Sequence, residues 1–291
     1  MIEKNKNIKI LLLVPCIIWF LIFAIYPLFY SLKLSLFRNT LSGEVFAGIT
    51  NFYRAFNDYR FWNDLRVTFF FIVLSVTLEF FLGFSLALLL NQKIKGVNFF
   101  RVIFTIPLFV CPVAVSYIGL ILLNEENGIV NFIVHNILGF SKIAWLSDPS
   151  IALISCILLD VWQWTSFTFL VLTAGLQSFP TETYEAAKVD GASNWQAFRY
   201  ITLPLLSPII LTTILFKLIY SLKVFDIPFN LTSGGPGISS EVYSIFVYRT
   251  GLKYLDVGYS AALSYIFLIV VLLFSIGIIS RMRKIYTVEG E

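Results

Sequence analysis

Along this chain the apolar positions neither recur with the spacing of a soluble amphipathic helix nor alternate as in a half-buried strand; they run on unbroken. Crossing about 30 Å of hydrocarbon takes about 20 helical residues. Six stretches are long enough: Leu11–Tyr30, Val67–Leu90, Val102–Leu123, Ile151–Leu176, Ile201–Ser221 and Ala261–Ser280. The pattern predicts an all-α integral membrane protein, a single transmembrane domain over residues 1–291 with six transmembrane helices. Lys4, Lys6 and Lys9 ahead of the first run imitate a signal peptide. That run exceeds the roughly 7–15 residues of a signal core, and no small-residue cleavage site follows, so it is expected to stay.

Several of the runs are interrupted by proline. Pro107 and Pro112 fall in the third, and Pro204 and Pro208 at the start of the fifth. Each proline removes a backbone donor and kinks a helix. In a bilayer the freed carbonyls need partners from neighbouring helices or water. Kinked spans suit a bundle that moves around a pathway better than a passive anchor.

Composition excludes the soluble alternatives. Apolar residues make up 58% of the chain and charged ones 13%, the latter about half the share found in soluble domains. A soluble fold of this length cannot hide so much apolar surface behind so few charges. Cys16, Cys111 and Cys156 each lie inside an apolar run, and His135 is the only histidine, so no metal site is expected. The basic residues are scattered between apolar runs rather than clustered, which points to the lipid bilayer and not to nucleic acid.

Six spans put both termini on one side. That side carries 11 Lys/Arg in 56 positions, against 9 in 102 on the other. The twofold difference in density marks the first side, with both termini, as cytoplasmic. Its strongest signals are Lys93, Lys95 and Arg101 in a short loop and Arg281-Met282-Arg283-Lys284 after the last span.

The loop between the fourth and fifth spans, about residues 178–204, has the densest local punctuation. Pro180 suits the first turn of a helix, and Thr181 to Asp190 reads as a short helix with Glu182 and Glu185 towards its positive end. Gly191 is a natural stop, because glycine takes the left-handed conformation that follows a C-cap. Ser193 and Gln196 have the spacing of a capping box. Trp195, Phe198 and Ile201 then recur every three residues, a stripe expected to lie against the bundle. The outcome is a knob of two short helices hinged at a glycine. It is either a plain connector or a docking element, with Ala186 and Ala187 offering close approach and Glu185 a charge-assisted hydrogen bond.

These residues carry a resemblance. Glu185-Ala186-Ala187, Asp190-Gly191-Ala192 and Ile201-Thr202-Leu203-Pro204 resemble the EAA loop of the permease subunits of binding-protein-dependent ABC importers. Ile25-Tyr26-Pro27, Asn51-Phe52-Tyr53, Phe99-Phe100-Arg101, Gly128-Ile129-Val130-Asn131 and Ala174-Gly175-Leu176-Gln177 follow in the family's order. Phe225-Asp226 with Thr232-Ser233-Gly234-Gly235-Pro236 is similar to the signature of the maltose-type F, or glycerol-phosphate-type A, subunit class of the sugar-importing branch. The resemblance implies a second homologous permease subunit, two ATP-binding subunits, an extracytoplasmic solute-binding protein and a sugar substrate, in a bacterial inner membrane. It also implies that Glu185, Ala186, Ala187, Asp190 and Gly191 form the joint with an ATPase. No Gly-Lys pair occurs in the chain, so it holds no P-loop. It is expected to bind no cofactor and to be no enzyme, with ATP used by the partner subunits.

Ionisable groups within spans are costly and mark candidate functional positions. There are three: Glu79, Asp160 and Lys217. Asp160 is followed by Trp162, Gln163 and Trp164, aromatic faces and polar groups suited to a sugar. The competing expectation is that Glu79 and Asp160 pair with the partner permease or with backbone, that the tryptophans are ordinary interface aromatics, and that Lys217 snorkels towards water. Asp226, Gly234, Gly235 and Pro236 read as an external loop, either a gate or a simple turn. The rival to the importer is an ion-gradient-driven secondary transporter, against which the absence of a clear internal repeat counts.

Overall fold

The computed structural model describes residues 13–40, 43–92 and 95–288. Lys4, Lys6, Lys9, Leu11 and Lys93 lie outside these, as do the side chains of Arg281, Met282, Arg283 and Lys284. Among the described residues, five helices are long and apolar enough to span a membrane. They are α1 (Leu13–Ser35), α3 (Tyr59–Leu90), α6 (Ala152–Gln177), α8 (Asn194–Leu222) and α11 (Val257–Val288), the last apolar over Val257–Gly277. Counted together as one span, a bent pair brings the number to six: Val97–Phe109, which begins with α4 (Val97–Thr105), meets α5 (Pro112–Leu122) at a bend of 100°. The shorter helices include α2 (Thr50–Asn57), α7 (Thr181–Val189), α9 (Asp226–Thr232) and α10 (Tyr243–Tyr248), with a further single turn at Ile129–Phe132.

Helix and apolar run do not coincide at every end. α3 starts eight residues before Val67, and α8 starts at Asn194 rather than Ile201. Hydropathy marks where a helix becomes apolar, whereas hydrogen bonding continues the helix into polar sequence. The chain is also not wholly helical. Phe37–Thr40 (β1) pairs antiparallel with Gly43–Phe46 (β2), Phe37 opposite Phe46, with the two rings edge to face.

The prolines act through local widening or outright rupture. In α1 a π turn at Leu21–Ile25 precedes Pro27, and in α8 another at Phe198–Thr202 precedes Pro204. In each the amide after the turn reaches five residues back, Tyr26 to Leu21 and Leu203 to Phe198. The wider turn gives the ring room, and the helix continues. The stretch with Pro107 and Pro112 instead breaks. Pro107 sits in a 3₁₀ turn, Ile106–Phe109, and Val110 and Cys111 are extended, as a residue before proline prefers. The freed Val110 carbonyl accepts a hydrogen bond from Gln163 Nε2 at 2.6 Å.

The described chain divides into two compact units. The first holds residues up to Phe61 together with Phe246–Val270. There Asn51, buried on α2, donates to the carbonyls of Ser35 and Phe37 at 2.9 and 2.8 Å and so caps the end of α1. Arg54 pairs with Asp256 at 2.7 Å and covers the Tyr259 ring, whose hydroxyl donates to Asp58.

The second unit is Trp62–Ile245 with the chain from Val271. It is organised on α6. One end of that helix, with Leu153, Cys156, Ile157 and Val161, packs with Val67, Phe71, Val115, Ile227 and Ile245. The other end, with Phe169, Leu172 and Leu176, packs with Ala87, Leu90 and Leu206. Between these apolar clusters lies a buried polar stretch: Asp160, Gln163, Thr165, Ser166 and Thr168. Glycines set the approach of the neighbours. A Cβ on Gly83 of α3 would lie 2.7 Å from Thr168 Cβ and 3.0 Å from the Phe169 amide nitrogen. One on Gly175 would lie within 3 Å of Leu206 and Ile209 of α8. Small residues permit this kind of close helix contact in membranes. Gly83→Val is therefore expected to force α3 and α6 apart at a cost of about 1–3 kcal/mol, read as a lower apparent Tm of the purified protein in detergent.

Candidate functional site

Two regions collect the residues singled out by the sequence. The first is the loop from α6 to α8. Glu182 lies in the first turn of α7 and Lys188 in its last, both complementary to the helix dipole. Its C-terminus closes as a Schellman motif: Ala192 N–H donates to Ala187 C=O at 2.9 Å and Gly191 N–H to Lys188 C=O at 3.2 Å. Gly191 takes φ +82°. Two residues later the capping box forms, Ser193 Oγ accepting from Gln196 N–H and Gln196 Oε1 from Ser193 N–H. Both flanks of the turn are thus fixed by reciprocal hydrogen bonds, and Tyr184 Oη lies 3.2 Å from Thr202 Oγ1, tying α7 back to α8.

Glu185, Ala186, Asp190 and Gly191 are exposed, and Ala187 is half-buried. The expected apolar stripe is only partly realised. Phe198 packs near Phe84 of α3, but Trp195 is 66% exposed and merely contacts Phe198. The reason is continuity: Asn194 opens the long α8 itself, so Trp195 is held on a projecting end and not laid along the bundle. Asp190, Gly191, Ala192, Gln196, Ala197, Tyr200 and Ile201 line a shallow concavity beside the turn.

The second region is the polar midsection of α6. Lys217 Nζ lies 2.9 Å from Asp160 Oδ2 and 3.1 Å from Glu79 Oε1. One ammonium thereby joins α3, α6 and α8, with all three side chains at most 3% exposed. This corrects the expectation that Lys217 snorkels. Its stem turns inward, because two carboxylates within 3.1 Å attract the ammonium more than distant water does. At an effective dielectric of about 20, each such contact is worth about 5 kcal/mol before desolvation is counted. The acids likewise pair with a lysine of their own chain, in place of the expected partner permease or backbone.

Aromatic rings complete the cluster. Trp164, one turn from Asp160, meets Tyr220 at 4.0 Å between ring centroids, and Lys217 Nζ stands 4.6 Å and 5.2 Å from these two rings. Trp162 is not part of it; two positions from Asp160 on a helix it faces elsewhere and is exposed. Gln163 is committed to the Val110 carbonyl. A concavity of about 210 Å³ adjoins the cluster, lined by Asp160, Tyr220, Lys223, Phe225 and Asp226 among others. Asp226 therefore joins Asp160 here, which sequence separation concealed. Gly234, Gly235 and Pro236 do not line it. They form a tight turn after α9, in which Ser240 Oγ donates to Gly235 C=O at 2.6 Å and a Cβ on Gly234 would crowd Glu241.

Sequence reasoning missed Tyr220 and Lys223 and misjudged Lys217. The available signal was the opposite sign of three intramembrane charges, which favours mutual pairing over separate solutions. Removing the ammonium alone leaves two buried carboxylates facing one another. Lys217→Met is expected to destabilise by about 3–5 kcal/mol, seen as a lower Tm in lipid nanodiscs. The triple variant Glu79→Gln, Asp160→Asn, Lys217→Met should recover most of that loss, since it buries no unpaired charge.

Comparison with known proteins identifies the family. Residues 79–283 match the family described as "Binding-protein-dependent transport system inner membrane component". The trehalose/maltose transport system permease protein MalF of Thermococcus litoralis is 36% identical over 278 residues, covering 94% of this chain and 92% of that one. The sulfoquinovosyl glycerol transport system permease protein SmoG of Agrobacterium fabrum is 34% identical, covering 89% and 85%. Among solved structures, a bacterial alginate ABC transporter in complex with an alginate pentasaccharide-bound periplasmic protein contains a chain that superposes with TM-score 0.85 at 26% identity, covering 97% and 96%. With a family match across most of its length and relatives of this identity spanning nearly the whole chain, the protein belongs to the inner-membrane permease components of binding-protein-dependent ABC transport systems.

Proposed function

We propose that this chain is one of two permease subunits of an ATP-driven carbohydrate importer, coupled through α7 to an ATPase dimer and loaded by an extracytoplasmic solute-binding protein. The observation that carries the reading is the exposed, doubly capped turn at Glu185–Gln196 at the foot of α8, which continues through its π turn and prolines to Leu222. A protruding element fixed at both ends transmits displacement; a floppy connector would absorb it. From Asn194 to Lys217 the helix extends about 35 Å at 1.5 Å per residue. A push at Gln196 is delivered along one rod to the ammonium that joins three spans. Glu185 supplies a charge for the ATPase surface, Ala186 and Ala187 allow close approach, and Asp190 and Gly191 shape the concavity. Nucleotide is bound by the partner subunits, and this chain itself catalyses nothing.

For the substrate, the Trp164–Tyr220 pair beside Asp160 and Asp226 supports a sugar contact. Ring faces cover the C–H surface of a pyranose, and carboxylates accept its hydroxyls. Trp164 Nε1 is buried without a hydrogen-bond partner, a donor suited to a sugar oxygen. The relatives named above, by their descriptions, carry trehalose or maltose, sulfoquinovosyl glycerol and alginate, which supports a saccharide or glycoside as cargo. The tight Gly234-Gly235-Pro236 turn belongs on the external side, and both termini belong in the cytoplasm of a bacterial cell, as the density of basic residues indicates.

The test is uptake into vesicles containing both permeases and the ATPase, with the binding protein outside. Uptake that requires internal ATP supports the importer; uptake driven by an ion gradient without the ATPase would overturn it. Gly191→Ala meets no steric obstacle but must hold positive φ, at about 1 kcal/mol. It is expected to loosen the turn and lower ATP-driven uptake severalfold with membrane insertion intact. Trp164→Ala should raise the KM for some sugars more than others across a panel, and Trp162→Ala should leave it near the wild-type value.

A further inference from the structure

We propose that Arg101 is a positioning residue that ties the root of the coupling turn to two further spans, so that the stroke is shared among helices instead of passing along α8 alone. The proposal rests on the coupling role given to α7 above. Phe99-Phe100-Arg101 and Gly175-Leu176-Gln177 stand 76 positions apart in the chain, and neither is explained by the coupling surface or by the charged cluster. In the fold they meet. Arg101, on α4, donates through Nη2 to the carbonyl of Leu90, the last residue of α3, at 2.7 Å. With the Gln177 amide oxygen turned to the guanidinium, it accepts from Nη1 at 2.9 Å and Nη2 at 2.8 Å. Gln177 is the last residue of α6, so one planar fork holds α3, α4 and α6 together.

The chemistry suits the place. Carbonyls in the last turn of a helix lack intrahelical donors and carry the negative end of its dipole, which a cation satisfies. A guanidinium presents several donors in a rigid plane, so it reaches two acceptors on different helices in one conformation, as a lysine ammonium on a flexible stem does not. Beyond Gln177 only Ser178, Phe179 and Pro180 precede α7, and Ser178 is itself bound back to the Gly175 carbonyl through both its amide and its hydroxyl. This tether is short and its proline is stiff, so displacement of α7 arrives at Gln177 with little slack. From there Arg101 passes it to α3, which carries Glu79 three turns further along, and to α4, which leads to the break at Val110.

The experiment uses the complete complex with its binding protein in vesicles and records sugar taken up per ATP hydrolysed. Arg101→Met and Gln177→Leu are each expected to lower that ratio about threefold to tenfold, the range in which residues along a coupling path act. ATP hydrolysis should persist in both. Gln177→Glu, which keeps the acceptor, should hold the wild-type ratio. A merely structural staple would reduce uptake and hydrolysis in parallel, and that result, or an unchanged ratio in Arg101→Met and Gln177→Leu, overturns the proposal. If Arg101→Met does not assemble, the contrast between Gln177→Leu and Gln177→Glu decides. Wild-type uptake that needs no ATP would overturn the importer reading and this inference with it, whereas ATP-dependent wild-type uptake with an unchanged variant ratio overturns this inference alone.

Discussion

A charge placed between membrane helices must be neutralised by something at hand, and in this chain the requirement is met by one lysine held between two acids. Burying three ionisable side chains is costly and is offset only while all three stay in contact. That condition fixes the rotation and depth of α3, α6 and α8 together: a shift by one residue in any of them would turn its charged group away. The apolar clusters at either end of α6 supply cohesion, but apolar packing alone tolerates sliding in a lipid-like environment. The ion cluster gives the bundle its register, and the aromatic pair and the adjoining concavity inherit their position from it.

Backbone interruptions divide the rest of the labour. A π turn ahead of Pro27 in α1 and ahead of Pro204 in α8 leaves each helix continuous. The stretch with Pro107 and Pro112 breaks instead, and the carbonyl released there is taken up by Gln163 from the same polar stretch of α6 that bears Asp160. Glycines at Gly83 and Gly175 bring α3 and α8 close enough to α6 for those side chains to reach one another. Sites of breakage and sites of close approach thus converge on one helix, which explains why α6 is so extensively buried while the outer helices expose their apolar residues.

Much of this was legible in the order of the residues, and the failures are instructive. The spans followed from hydropathy because a bilayer imposes a minimum apolar length; their true ends did not, because a helix continues into polar sequence, as α3 does through Asp64 and α8 through Gln196. The turn at 190–196 was readable since glycine and the Ser193/Gln196 pair act locally. What could not be read was anything set by distance in space: the inward turn of Lys217, the meeting of Asp160 with Asp226, the separation of Trp162 from Trp164's neighbours, and the exposure of Trp195. The strands at 37–46 escaped because four residues carry too little pattern to compete with the apolar runs beside them.

The space around Gly191 has one more implication. Nothing lies within 4 Å of where a side chain's first carbon would stand, so the position asks only for handedness of the backbone, not for smallness. A mirror-image alanine introduced by chemical ligation would satisfy that request better than glycine does, since it prefers positive φ outright. The turn would then be stiffer than in the natural protein while keeping the capping hydrogen bonds on either side of it.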